Sequence, residues 1–268
     1  MASIASHDCT IIILAAQRTG VVNPLALRAG VSHKCIVPIC GKPLIVHVMD
    51  VIAALPVRPK VRISVEKDAH PQLGEILEPY REKGLDIDFL PSSPNIAESV
   101  ILAAEDQPAP YIVTTADNVL LSGEVIEHAL KELKRADVLA TLTRDESVRA
   151  VHPEGQRRFY KFKDGGYANC NVYGIAGPHA LRATEAFREG GQFMNNPKRL
   201  VKAFGIVNIA LFRAGLLSLE GAMKRLSKRF GVTVRAIVPS DGAQAIDVDN
   251  ERTFDIAEFV MKERKGSS

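Results

Sequence analysis

The amino-acid sequence predicts an α/β protein built on a mostly parallel sheet with helices on both faces. Residues 11–16 form an unbroken apolar run, the mark of a strand buried on both sides. Similar short runs alternate with segments of helical spacing through the first half of the chain, which is the rhythm of a parallel sheet with crossover helices. With 268 residues, 46% apolar and 24% charged, the chain can bury a sizeable core.

The first strand, 11–16, leads into a loop over 17–32 rich in Gly, Pro, Asn and Arg. After an apolar segment at 35–40, Gly41-Lys42-Pro43 puts proline at a helix start, and 44–55 carries apolar residues at helical spacing. Strands at 61–65, 87–90 and 111–115 then alternate with helices at 72–83 and 97–105. Beyond Asp117 the rhythm changes to a helix at 123–135, a strand at 138–143, and two strands at 157–163 and 171–175 joined by a turn around Gly165-Gly166. The stretch 198–229 is apolar and basic together, broken near Gly215 and Gly231; a last strand covers 232–238, and an amphipathic helix covers 252–265. With no repeat, low-complexity linker or break in composition, the chain reads as a single domain.

Composition narrows the function. Lys and Arg number 34 against 31 Asp and Glu, a net charge of +3 too small for a general polyanion-binding surface. Aromatic residues are 6% with no Trp, which argues against a stacking platform for single-stranded nucleic acid. Cys9, Cys35, Cys40 and Cys170 show no CxxC spacing, so reduced thiols and no zinc are expected. A signal sequence is not visible and no apolar run reaches membrane-spanning length, so a cytoplasmic location is expected.

Ligands of open α/β sheets bind at the carboxyl ends of strands, so the loop after 11–16 is the first place to look. There Gly20 and Gly30 allow close backbone approach, and Arg18 and Lys34 offer cations to phosphate oxygens, although the spacing matches neither a Walker loop nor G-x-G-x-x-G. A plain surface connection is the alternative. Asp117 follows the buried strand 111–115, a natural place for a Mg2+ ligand, or for a turn-capping side chain. Asp247 and Asp249 sit in Ala245-Ile246-Asp247-Val248-Asp249-Asn250; one of the two is expected to face a metal, and Asp249 or Asn250 can equally cap the last helix. Asn169 and Asn171 offer hydrogen bonds at the start of a strand, or form its turn.

Taken together, Leu14-Ala15-Ala16, His33-Lys34 and Gly41-Lys42-Pro43-Leu44 resemble the N-terminal signature of the MobA-like NTP transferases, L-A-A-G-x-G-T-R followed by P-K and G-K-P-L. Cytidylyltransferases of isoprenoid and sugar-acid activation are cousins. Gln17-Arg18-Thr19-Gly20 departs from the glycine-rich run, and His33 replaces the proline before the lysine. The strand ending at Asp117 resembles the one that carries the family's metal aspartate, and 245–252 resembles its late D-x-D-T-P-E-D-L segment, which by position selects Asp249. Ser99-Val100 resembles the pair that opens a helix beside the base in the cytidylyltransferases.

The resemblance spans about 10–258 and implies a three-layer αβα, Rossmann-like sheet of the glycosyltransferase-A-like type. It implies Mg2+-dependent transfer of a nucleotidyl group from an NTP, with CTP favoured, to a phosphorylated small-molecule acceptor, releasing pyrophosphate. Lys34 and Arg18 would then take charge from the triphosphate, with Ala15, Ala16, Gln17, Gly20, Asn95 and Ser99 around the nucleotide. Asp117 and Asp249 would hold Mg2+, and Asn169 and Asn171 would meet the acceptor. The nucleotide half would cover about 10–122, the acceptor half about 123–245, and the C-terminal helix 249–268. A glycosyltransferase of the same fold is disfavoured, because Asn118-Val119 follows Asp117 where a D-x-D is wanted; a nucleotide-binding regulatory homologue is the other alternative. The basic apolar stretch permits an amphiphilic acceptor or a membrane-surface contact, while core packing or a homodimer interface explains it more simply.

Overall fold

The structure, a computed structural model, describes residues 8–17, 23–187 and 205–266. At its centre β1 (Cys9–Leu14) pairs in parallel with β4 (Pro59–Val65) and β6 (Tyr111–Thr115), and β5 (Asp86–Pro91) extends the sheet beyond β4. On the other side β9 (Gly165–Ile175) runs antiparallel between β6 and β7 (Val138–Arg144). β10 (Val234–Ile237) closes that edge parallel to β7, and β8 (Tyr160–Phe162) makes a hairpin with β9. The eight-stranded sheet thus has the order β10-β7-β9-β6-β1-β4-β5, with β8 branching from β9.

The apolar run 11–14 within β1 has a direct cause. Ile11 and Ile13 join a core that includes Val48 and Ile52 of α2 (Leu44–Ala53), Leu73 of α3 (His70–Glu82) and Ile126 of α5 (Gly123–Glu132). Ile12 points the other way, into a core with Val100 of α4 (Ile96–Ala104) and, further along the chain, Leu226. Successive side chains of a strand face opposite layers, so a strand covered on both faces has no polar side. The predicted three-layer, mostly parallel arrangement is what the chain adopts.

The differences are local. Inside the expected loop lies a helix, α1 (Pro24–Ala29), begun by Asn23 accepting from the Leu25 N–H and ended by left-handed Gly30. Its boundary signals are present in the sequence, but six residues are too few to show a helical period. The strand β7 runs without a break into α6 (Asp145–Val151), which the sequence reading did not separate. Of the basic apolar stretch, 198–204 lies outside the described residues; the rest forms α7 (Ile206–Arg213) and α8 (Leu219–Phe230). The helix α8 packs Leu219 and Leu226 inward, whereas α7 buries none of its residues and so is not the core helix expected. All four cysteines are free, Cys40 being only half-buried. Among the described residues no helix is long and apolar enough to cross a membrane.

Two short pieces matter for the site. A two-stranded ribbon, β2 (Pro38–Ile39) with β3 (Lys42–Pro43), follows the 3-10 turn Lys34–Ile36. Near the C-terminus the 3-10 turn Gly242–Ala245 packs on α6 and precedes the last helix, α9 (Glu251–Gly266). Gly242 has no room for a side chain, because a Cβ there would lie 2.1 Å from the Ser147 carbonyl oxygen. Gly242→Ala is therefore expected to lower the thermal midpoint by roughly 5–10 °C. Gly174→Ala, whose Cβ would meet only the flexible Leu133 side chain at 3.1 Å, should cost less. Thermal melts of the two variants check this, and equal shifts would contradict it.

Candidate active site

The strand β6 delivers Asp117 to the carboxyl edge of the sheet, and the turn behind it is fastened. Buried Asn118 donates through Nδ2 to Thr114 Oγ1 at 3.3 Å and to the Cys170 carbonyl of β9 at 3.0 Å. The Asp117 carbonyl in turn accepts the Val248 N–H at 3.1 Å, which brings the 246–250 segment alongside. Buried Gln244 strengthens that junction, donating to the Leu120 carbonyl at 2.9 Å and accepting the Ser122 N–H at 3.2 Å.

As a result Asp117, Asp247 and Asp249 each place a carboxylate oxygen within 4.8 Å of the others. The expectation that only one of Asp247 and Asp249 faces the site does not hold: both carboxylates reach it, and strand alternation gives no reason for a choice, since residues two apart share a face. Capping of α9 falls to Asn250, whose Oδ1 accepts from the Thr253 N–H at 3.2 Å, so the Asp249 carboxylate is free for the cleft.

Lys34 reaches the cluster from the 3-10 turn after the first loop, with its ammonium bonded to Asp117 Oδ2 and 2.9 Å from Asp249 Oδ1. Lys34 and Asp117 side chains are each only 15% exposed, so the pair is largely desolvated. Burial alone would lower the lysine pKa, but Asp117 and Asp249 outweigh it and raise the value. Asp247 behaves oppositely: burial, then the neighbouring Asp249 and Asp117 carboxylates, push its pKa well above the ordinary 3.8. Its oxygens accept from Asn171 Nδ2 at 3.0 Å and from Gln156 Nε2 at 3.4 Å. Asp117 Oδ1 is buried and, among the described residues, has no hydrogen-bond partner. Three carboxylates, one ammonium and an oxygen left open suit a divalent cation with phosphate oxygens.

The other predicted residues divide. Arg18 and Gly20 lie outside the described residues. Ala15 is held in the sheet by its N–H to the Ser64 carbonyl at 2.9 Å, and Ala16 is exposed at the cleft end of β1. Gln17 is tied within the loop: its N–H goes to Glu66 Oε1 at 2.9 Å and its amide to the Ser32 carbonyl at 3.2 Å. His33, in place of the family proline, is buried with Nδ1 2.8 Å from Ser32 Oγ and Nε2 3.6 Å from Asp68 Oδ1. Asn95 caps α4, and the Ser99 hydroxyl accepts from the Ser93 N–H at 2.9 Å. Asn169 donates to Asn171 Oδ1 at 2.6 Å and to the Tyr173 hydroxyl at 2.7 Å, so it supports Asn171.

Sequence reading missed a group of cations. A pocket of about 590 Å3 is lined by Gln156, Arg157, Arg158 and Arg252 together with Asp247 and Asp249. Arg157 and Arg252 are 95 positions apart, and no local spacing links them.

A model of the MobA-like NTP transferase domain matches residues 11–207. No curated protein sequence matches at a significant level. Among solved structures, a hypothetical transferase from Thermus thermophilus has a TM-score of 0.73 at 23% identity, covering 92% of this chain and 99% of that one. A 4-diphosphocytidyl-2C-methyl-D-erythritol synthase from Anaerococcus prevotii gives 0.58 at 10% identity, covering 95% and 99%. A CMP:2-keto-3-deoxy-manno-octonic acid synthetase complexed with CTP gives 0.57 at 13%, also covering 95% and 99%. These likenesses are in fold.

The raised pKa of Asp247 has a consequence for stability. The folded, metal-free chain holds that proton more tightly than the unfolded chain, so this group's contribution falls as pH rises above 3.8 toward the folded value. Asp247→Asn should raise the thermal midpoint of the metal-free protein at neutral pH and should shrink the further rise produced by Mg2+. Melts with chelator and with excess Mg2+ measure both, and a lower midpoint in chelator would contradict the assignment.

Proposed function

The chain belongs to the MobA-like NTP transferase family and is a nucleotidyltransferase; from that premise we propose that it transfers a nucleotidyl group from an NTP to a phosphorylated small molecule in the cleft at Asp117, Asp247 and Asp249. The observation that carries this is the Asp117 carboxylate, one oxygen of which has no partner among the described residues, within 4.8 Å of two further carboxylates, with the Lys34 ammonium bonded to Asp117 and Asp249. Asp117 and Asp249, with Asp247 joining them, would hold Mg2+. The ion supplies Lewis-acid neutralisation of the phosphate charge when bound.

The chain's own residues do the rest. An acceptor phosphate oxygen attacks the α-phosphorus, the new P–O bond forms as the bond to the bridging oxygen breaks, and pyrophosphate leaves with that electron pair. No covalent protein nucleophile is required, so the protein's work is to position two polyanions and neutralise charge. Lys34 carries its proton at any physiological pH and serves as a fixed positive charge at the reacting phosphorus. Ala15, Ala16 and Gln17 lie on the loop that meets the triphosphate, with Arg18 and Gly20 assigned there by family likeness alone. Gln17, Ser32 and Glu66 brace that loop in place of the missing glycine. Nucleotide contacts are assigned chiefly to the 10–122 half, with Asn95 and Ser99 shaping the loop there, and acceptor contacts chiefly to the 123–245 half, joined by Asp247 and by Arg252 of α9. Arg157, Arg158 and Arg252 would take the acceptor phosphate beside Asp247 and Asn171. CTP is the first donor to test, since two fold neighbours bear cytidylyl or CMP names.

Pyrophosphate release from each NTP with Mg2+ and a panel of phosphorylated acceptors tests the reading. Asp117→Asn and Asp249→Asn should each lower kcat by roughly 100-fold or more without loss of fold. Lys34→Ala should lower kcat by more than it raises KM, because the charge matters most as the transition state forms. A rise in KM alone would reduce Lys34 to ground-state triphosphate binding, and failure of folded protein to bind any NTP would overturn the transfer reading.

A further inference from the structure

A second cavity, of about 440 Å3, lies between the face of β6, β9 and β7 and the helices α4, α7 and α8. Val113, Val100, Phe212, Leu226, Tyr160 and Met223 give its walls their character. Protein interiors contain few voids larger than a water molecule, and this volume falls among those of small-molecule pockets. The helix α7 contributes nothing to the core, yet sets Ile209 and Phe212 over the space as a roof. On the far wall Asn208 and Arg225 bond to each other at 3.1 Å.

Polar atoms gather where the cavity approaches the acidic cluster. Asn171 lines the cavity and donates to Asp247 Oδ2 at 3.0 Å. Thr115, two residues before Asp117, also lines it, and its buried Oγ1 has no partner among the described residues. On the other side of Asp247 lies the arginine-lined pocket. A polar compartment suited to phosphate and an apolar one thus adjoin at the Asp247–Asn171 pair. Away from that end the walls are chiefly apolar, so a body rich in hydrogen-bonding groups would leave some of them unmet, which is costly.

We propose that the acceptor is an amphiphile: a phosphate monoester whose alcohol carries a hydrocarbon body that fills the apolar cavity while the phosphate sits beside Asp247. This rests on the transfer reading above, and the bond changes are those already given, with the monoester oxygen as the attacking atom.

Calorimetry of n-alkyl phosphates from ethyl to decyl, kept below their aggregation concentrations, on the full chain with Mg2+ tests it without requiring turnover. Affinity should rise about 4-fold per added methylene until the cavity is full. Ala222→Phe, which places a ring in the cavity wall, and Phe212→Ala, which removes part of the roof, should each compress the decyl-to-ethyl affinity ratio several-fold, with melts checking that each folds. Pyrophosphate release with the same phosphates and each NTP should rise with chain length. Flat dependence on chain length overturns the amphiphile even where ethyl phosphate is turned over, an outcome that leaves nucleotidyl transfer standing. Chain-length-dependent binding with no pyrophosphate from any NTP overturns the acceptor assignment and the transfer reading together. A loss of NTP affinity in Ala222→Phe without change in the alkyl series overturns it in favour of a base pocket.

Discussion

Three carboxylates crowded within 4.8 Å, against one lysine ammonium, are the constraint around which this fold is arranged. Like charges at that range repel, and burial makes the ionised form of Asp247 dearer still. Free side chains would relax by turning apart. Here they cannot, because their backbones are fastened: Asp117 through Asn118 into β9, and Asp247 and Asp249 through the Val248 N–H onto the Asp117 carbonyl. The fold carries this local strain on a core built from both faces of β1. A divalent cation is the partner that would relieve such an excess of negative charge.

The loop after β1 solves a different problem. Where the family has glycines, this chain has Gln17, and a side chain there must go somewhere. It turns back to the Ser32 carbonyl, while Glu66 at the end of β4 takes the Gln17 N–H. Buried His33 sits beside Ser32 and Asp68 in the same bracket. Side-chain bonds thus replace glycine's flexibility, and Lys34, next in the chain, is presented from a braced turn.

The antiparallel strand β9 stands where the two cavities adjoin, because its Asn171 lines the apolar one and bonds Asp247 of the arginine-lined one. Its ladder with β7 shifts register between Ala140 and Leu142, opposite Asn171, which adopts a left-handed φ of 51°. Asparagine tolerates that conformation better than most residues, and such irregularities re-aim side chains beside active sites. Asn171 is thereby turned to Asp247 while still lining the apolar cavity, and Asn169 and Tyr173 steady it from behind.

The sequence by itself determined the layered sheet, because a strand buried on two faces is apolar on both, and the run 11–16 has no polar residue. It also picked out Lys34, Asp117 and Asp249, since the motifs around them are local and contiguous. Short helices such as Pro24–Ala29 escaped because periodicity needs more than one turn to register. Only the tertiary structure decided that Asp247 joins Asp249, because the answer depends on where the folded 246–249 segment docks against the turn after β6, through the Val248 N–H and the Asp117 carbonyl. Only packing could show that Ser99 and Asn95 serve their own loop and helix, since a hydroxyl or amide looks the same in sequence whichever partner it has. The arginine group and the apolar cavity are likewise products of folding: their walls come from segments far apart in the chain, and no pattern along the sequence records that they will meet.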